Sequence, residues 1–203
     1  RSCLAYNFAM KRFIYLIFVI LLSFSPAYCA LSEDEISDYQ EQAKLYYNTN
    51  NIPQCMEMLT KIPDSKKGAQ DWVLLANIAQ DREKPLDAIF FLERAIIADS
   101  KYYKAYYNLG NIYFETGNIS KAMENFRKAI KLKEDFAYAY YNMGCCYLKR
   151  ENYRLARYYF ANAIKYNASE PSFFYNISYT YKMLKNKKRA EETLKIYNEL
   201  MQQ

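Results

Sequence analysis

A pattern that recurs every 34 residues restricts what this chain can fold into more tightly than any other feature. Tyr106, Leu109, Gly110 and Tyr113 return as Tyr140, Met143, Gly144 and Tyr147, and again as Phe174, Ile177, Ser178 and Tyr181. One unit upstream, Trp72, Leu75 and Ala76 hold the first three places and Ala79 the fourth. A second set follows each of these: Ala88 and Leu92, Ala122 and Phe126, Ala156 and Phe160, Ala190 and Leu194. A further small residue recurs as Ala95, Ala129 and Ala163. Spacings of three, four and seven place such residues on one face of a helix. Small side chains at 110, 122 and 129 let two helices approach to about 8–10 Å. The large residues Tyr106, Leu109, Tyr113 and Phe126 fill the space around that contact. Gly117-Asn118 lies between the halves, where the chain must reverse. Each unit therefore predicts a helix–turn–helix, and stacked units share one continuous core.

The pattern resembles that of the tetratricopeptide-repeat (TPR) family, W-x2-L-G-x2-Y followed by A-x3-F. The resemblance covers about residues 36 to 203. It is close for units 69–102, 103–136 and 137–170 and clear for 171–203. It is degenerate for 36–68, where Tyr39, Ala43, Tyr46, Cys55 and Leu59 fit a 33-residue unit. Ser100, Glu134 and Ala168 stand where the family has a terminal proline, and Tyr197 replaces the second small residue of the last unit, which suggests a final helix that packs as an end cap. The resemblance implies an all-α fold, a right-handed α-α superhelix or solenoid of about five TPR helical hairpins.

Composition agrees with helices: four glycines, five prolines and 52% hydrophobic residues. The absence of histidine excludes His-based catalysis and His-ligated metals. Cysteines 55, 145 and 146 have no metal-like spacing and read as small buried hydrophobes, with a regulatory or intermolecular disulfide as the alternative. Residues 10–30 order a charged start (Lys11, Arg12), an apolar run from Phe13 to Leu22 and small residues around Pro26, as a secretory signal peptide does. The run is shorter than the roughly 20 residues of a membrane span. An uncleaved anchor is the alternative. Cleavage after Ala27, Cys29 or Ala30 fits this order, and it would leave a domain of 31–203 without membrane insertion. A lipid anchor at Cys29 is the minority alternative, because Pro26-Ala27-Tyr28 departs from the usual small-residue motif. Residues 1–9 read as upstream or non-native. The expected localisation is therefore exported: periplasmic, envelope-associated or secreted. Of 28 bases, Arg1, Lys11 and Arg12 precede the repeats, whereas all 22 acids follow residue 32, so the array's balance does not call for nucleic acid. The cluster Lys185, Lys187, Lys188 and Arg189 reads as a solvated end face.

The family's groove positions carry over to Lys104, Tyr107, Asn111, Phe114, Tyr138, Tyr141, Cys145, Leu148, Tyr175, Tyr179 and Lys182, with Val73, Asn77 and Gln80 from the unit before. The resemblance implies a protein or extended peptide as ligand and no cofactor. Tyr107, Tyr141 and Tyr175 are each 34 apart and sit about 100° round the helix from the core aromatic, which predicts a ladder facing the concavity. Tyrosine suits such a surface because it supplies large contact area at little entropy loss. With 23 tyrosines in the chain, stacking between repeats explains the same residues. The relatives that grip a chaperone's terminal carboxylate need groove cations, but Val73, Tyr107, Tyr138, Asn142 and Ser172 hold those places. Asn108, Asn142 and Asn176 read as helix–helix hydrogen-bonding residues. Three glycosylation sequons, at Asn118, Asn167 and Asn176, are more simply turn or packing residues. No phosphate-cradling glycine loop, G-x-S-x-G or paired cysteine motif is present. The expected function is a non-enzymatic, exported scaffold. The alternative is a docking or regulatory module of a larger enzyme or envelope assembly.

Overall fold

The computed structural model describes residues 31–202. The leader, residues 1–9 and Cys29 lie outside them. The described residues form ten α-helices in five antiparallel hairpins. These are α1 Glu33–Asn48 with α2 Ile52–Lys61, α3 Ala69–Asp81 with α4 Pro85–Ala98, and α5 Tyr103–Glu115 with α6 Ile119–Leu132. They continue with α7 Ala137–Lys149 and α8 Tyr153–Tyr166, then α9 Pro171–Met183 and α10 Lys187–Leu200. A 3-10 turn at Asp64–Lys66 joins the first two hairpins. The all-α solenoid that the 34-residue period implied is what the chain forms.

Each hairpin closes on the residues the period singled out. Ala88, Ala122 and Ala156 are fully buried, as are Ala95, Ala129 and Ala163. Large side chains interlock around them: Leu59, Leu92, Phe126 and Phe160 are likewise fully buried. A Cβ built on Gly110 would lie 2.4 Å from the Phe126 ring, and one on Gly144 would lie 2.6 Å from that of Phe160. The first helix of each hairpin packs on its own partner and on the second helix of the hairpin before. First helices also approach one another along the array, α1 with α3, α3 with α5 and α5 with α7. They therefore form the inner layer and the second helices the outer one. α10 buries none of its residues fully, and Tyr197 lies against Tyr175, 5.4 Å between ring centroids, where earlier units have a buried alanine.

The turns repeat as closely as the core does. One residue in each hairpin adopts the left-handed conformation: Asn50, Glu83, Gly117, Glu151 and Lys185, with φ between 55° and 81°. The next residue is the N-cap of the second helix. Asn118, Asn152 and Asn186 there accept from the backbone N–H three residues on, at 3.1–3.2 Å. Only Gly117 meets this demand without a Cβ penalty, which is about 1–2 kcal/mol for an ordinary residue. Glu151→Gly is therefore expected to stabilise the array by about 0.5–1 kcal/mol and Gly117→Ala to destabilise it by about the same. Urea midpoints of the two variants check both signs.

Candidate functional site

Asparagines tie the inner layer together. Asn108 Nδ2 donates to Asn77 Oδ1 at 2.9 Å, and one unit on Asn142 Nδ2 donates to Asn111 Oδ1 at 2.7 Å and to the Tyr107 hydroxyl at 3.3 Å. In the next unit Asn176 Nδ2 donates to the Tyr141 hydroxyl at 2.7 Å and lies 3.8 Å from Cys145 Sγ. These are the helix–helix bonds expected of the three asparagines, and each runs from one hairpin to the one before. Asn176 is thereby partly buried and unsuited to carry a glycan.

The same bonds change the reading of the tyrosine ladder. Tyr107 and Tyr141 are half-buried between hairpins instead of facing the concavity freely. Tyr107 meets Phe136 edge to face at 4.9 Å, and Tyr141 stacks on Phe173 at 4.8 Å. Burial pushes the phenol of Tyr107 up from its ordinary pKa and that of Tyr141 up to about 12. A rotation of 100° from the core aromatic turns a side chain toward the following hairpin wherever one follows. Val73 is also buried, and Asn77 and Asn111 are spent as acceptors. Gln80 Nε2 donates to Glu115 at 3.2 Å. Lys104 is exposed and stands apart from the others. Tyr138 is 41% exposed, with its ring edge-on to Phe173 and its hydroxyl 3.3 Å from Glu170.

Lys182 lies apart, in a separate hollow between α9 and α10, and the other remaining groove positions come together. Phe114 of α5, Cys145 and Leu148 of α7, and Tyr175 and Tyr179 of α9 surround one open hollow of about 590 Å³. Asn176, Lys149, Glu151 and Tyr153 complete its wall. Tyr175 and Tyr179 are 53% and 44% exposed, large apolar rings held out by α9 with no further hairpin among the described residues to cover them. The Lys149 ammonium sits 5.1 Å above the Phe114 ring on an exposed side chain. Lys149, Glu151 and Tyr153 were not among the expected groove residues, because the last residue of α7, the turn and the start of α8 all lie beyond the first-helix positions carried over from the family. The hollow offers what a pocket for a side chain of a bound segment needs: aromatic and aliphatic walls with a few polar groups at the rim.

Two of the three cysteines in the described residues are buried outright, and Cys145 lines the hollow. All three are free. Burial pushes the thiol of Cys145 up to about 11 and that of Cys146 up to about 12. The neutral thiol is the poor nucleophile, and an elevated pKa keeps it protonated through the physiological range. Alkylation at pH 8.5 followed by peptide mapping is expected to modify Cys146 at least about tenfold more slowly in the native protein than in urea.

Comparison with known proteins agrees with this architecture. Residues 110–150 match the family described as TPR repeat, and residues 138–168 that described as tetratricopeptide repeat. No curated protein matched the sequence. Among solved structures, a MamA protein is 19% identical, with a TM-score of 0.67 over 84% of this chain and 94% of its own. PilF of Pseudomonas aeruginosa is 18% identical, with a TM-score of 0.74 over 82% of this chain and 77% of its own. YrrB, described as a TPR protein with an unusual peptide-binding site, is 20% identical, with a TM-score of 0.63 over 80% and 84%. At these identities the likeness is one of fold. Residues 110–168 are therefore tetratricopeptide repeats, and the hairpins on either side of them continue the same fold.

Proposed function

We propose that this protein is an exported, non-enzymatic scaffold that holds an extended protein segment through the hollow between α5, α7 and α9. The observation that carries this reading is the pair Tyr175 and Tyr179, presented on the inner layer over Phe114, Cys145 and Leu148. An extended segment would place one or two apolar or aromatic side chains among these rings. Its backbone would bond to the two phenol hydroxyls and the Lys149 ammonium at the rim. The peptide-binding site named for YrrB supports the class of ligand by analogy of fold. The test is selection from a displayed library of random peptides. Wild type is expected to enrich segments with aromatic or bulky apolar anchors. Enrichment that persists in Tyr175→Ala/Tyr179→Ala, with helicity unchanged, would place the site elsewhere.

Export rests on residues 10–30. N-terminal sequencing of the processed protein is expected to read a start between Tyr28 and Leu31. Recovery of the intact Phe13–Leu22 segment would overturn it, and an acylated Cys29 would establish the lipid anchor instead.

A further inference from the structure

The outer face of α4 differs from those of its sister helices in a way the repeat itself exposes. Leu86 is 79% exposed, Phe90 52% and Ile97 75%. At the positions equivalent to Leu86, the later second helices carry Ser120, Arg154 and Lys188; at those of Phe90, Glu124, Tyr158 and Glu192; at those of Ile97, Lys131, Lys165 and Glu199. Nothing in the hairpin geometry demands apolar residues there, since three sister helices fold with mostly polar ones. A helix that keeps three large apolar side chains in water where its sisters keep mostly polar or charged ones is built to be covered.

From this face we infer that α4 docks against α4 of a second copy of this chain, antiparallel and about a two-fold axis. Three features favour a copy of itself over another partner. The face residues Leu86, Phe90, Glu93 and Ile97 are spaced four, three and four apart, the same from either end, with Glu93 the one charged residue among them. An antiparallel copy centred between residues 91 and 92 thus sets Leu86 opposite the other copy's Ile97 and brings the two Phe90 rings within a turn of each other. On one flank the charges agree as well. Asp87 and Arg94 lie about 100° and 80° round from Leu86, on one flank of the stripe. Like flanks meet in an antiparallel pair, where positions 87 and 94 fall within about 3 Å of one another along the axis. Each Asp87 therefore meets an Arg94 of the other copy, twice per dimer. Finally, a hollow of about 480 Å³ opens beside Ile97, walled by Trp72, Arg94, Ala98 and the Asp64–Gly68 segment. Leu86 of the second copy arrives at its mouth. Projection and recess sit on one face, as a self-complementary interface requires. This surface belongs to the outer layer and is independent of the hollow between α5, α7 and α9.

Sedimentation velocity of the full chain from about 1 to 100 μM is expected to show a monomer–dimer equilibrium. The variant Leu86→Ser/Phe90→Glu/Ile97→Lys carries what α6 has at these positions and should keep the fold, as circular dichroism would record, while its dimerisation weakens at least tenfold. Arg94→Asp should weaken it too, and adding Asp87→Arg should restore it. In a background with Cys3→Ser and Cys29→Ser, the pair Leu86→Cys with Ile97→Cys should give disulfide-linked dimers on mild oxidation, whereas either cysteine alone should not. A wild type that stays monomeric throughout, or a stripe variant that dimerises as wild type does, overturns the proposal. Dimers that survive the stripe change but respond to removal of Phe13–Leu22 would assign association to the leader and overturn it equally.

Discussion

Gly110→Leu is expected to destabilise the array by about 3 kcal/mol or more, at the upper end of what overpacking costs. A bare Cβ at 110 already falls 2.4 Å from the Phe126 ring, and that ring is fully buried, so it has nowhere to retreat. Gly110→Ala should cost less but still measurably. The sister hairpins show how the clash is avoided. Where the first position is alanine or serine, the second is leucine: Ala43 with Leu59, Ala76 with Leu92 and Ser178 with Leu194. Where it is glycine, the second is phenylalanine: Gly110 with Phe126 and Gly144 with Phe160. Gly110→Ala combined with Phe126→Leu should therefore recover much of the stability that either change loses, a coupling readable from a double-mutant cycle in urea. Ala122→Leu, at a fully buried crossing, should also destabilise, whereas exposed Lys131→Ala should change little. Three midpoints equal to wild type, or a double variant whose losses simply add, would show that the helix pair is packed in another register.

The second large effect is on binding. Tyr175→Ala/Tyr179→Ala is expected to weaken a peptide selected by the wild type by at least about thirtyfold, the equivalent of a 2 kcal/mol hot spot. Both rings are substantially exposed, so their loss should leave the thermal midpoint nearly unchanged. Tyr107→Ala and Tyr141→Ala should behave the opposite way. Each empties space between two hairpins and removes the bond from an asparagine amide to the phenol, so the array should lose stability before it loses ligand. Fluorescence anisotropy with a labelled peptide, beside thermal unfolding, separates the two classes. Equal effects of Tyr107 and Tyr175 on affinity at full stability would restore the three-membered ladder.

The period of 34 carried most of the fold because core positions repeat faithfully: Ala122, Ala156, Phe126 and Phe160 are buried where spacing put them. The asparagine bridges were legible for the same reason. The groove was legible only in part. Groove positions one residue beyond the core aromatic lie on the boundary between the inner surface and the next hairpin. Which side wins depends on whether a hairpin follows and on what it offers. Asn142 and Asn176 draw Tyr107 and Tyr141 into the interface, while Tyr175 rests on Tyr197 and faces the open hollow. Turn geometry was hidden as well. Gly117 marked its turn, but Glu83, Glu151 and Lys185 adopt the same left-handed conformation without any local signal, because closure of the hairpin imposes it.

The two phenylalanines beside the buried tyrosines also bear on how such a gene can change length. Phe136 reaches Tyr107 from the segment before α7, and its equivalent one unit on is Glu170. Phe173 reaches Tyr141 from α9 itself, and its equivalent one unit back is Ala139. Tandem units invite unequal recombination, which deletes or copies one unit in frame. Loss of 137–170 would set Phe136 and Phe173 against the same tyrosine and overfill the junction. Duplication of 137–170 would create a junction with Glu170 on one side and Ala139 on the other, and neither ring to fill it. Units that look interchangeable by their period are thus ordered by their aromatic neighbours. A gain or loss of this unit leaves a junction that further substitutions must repair.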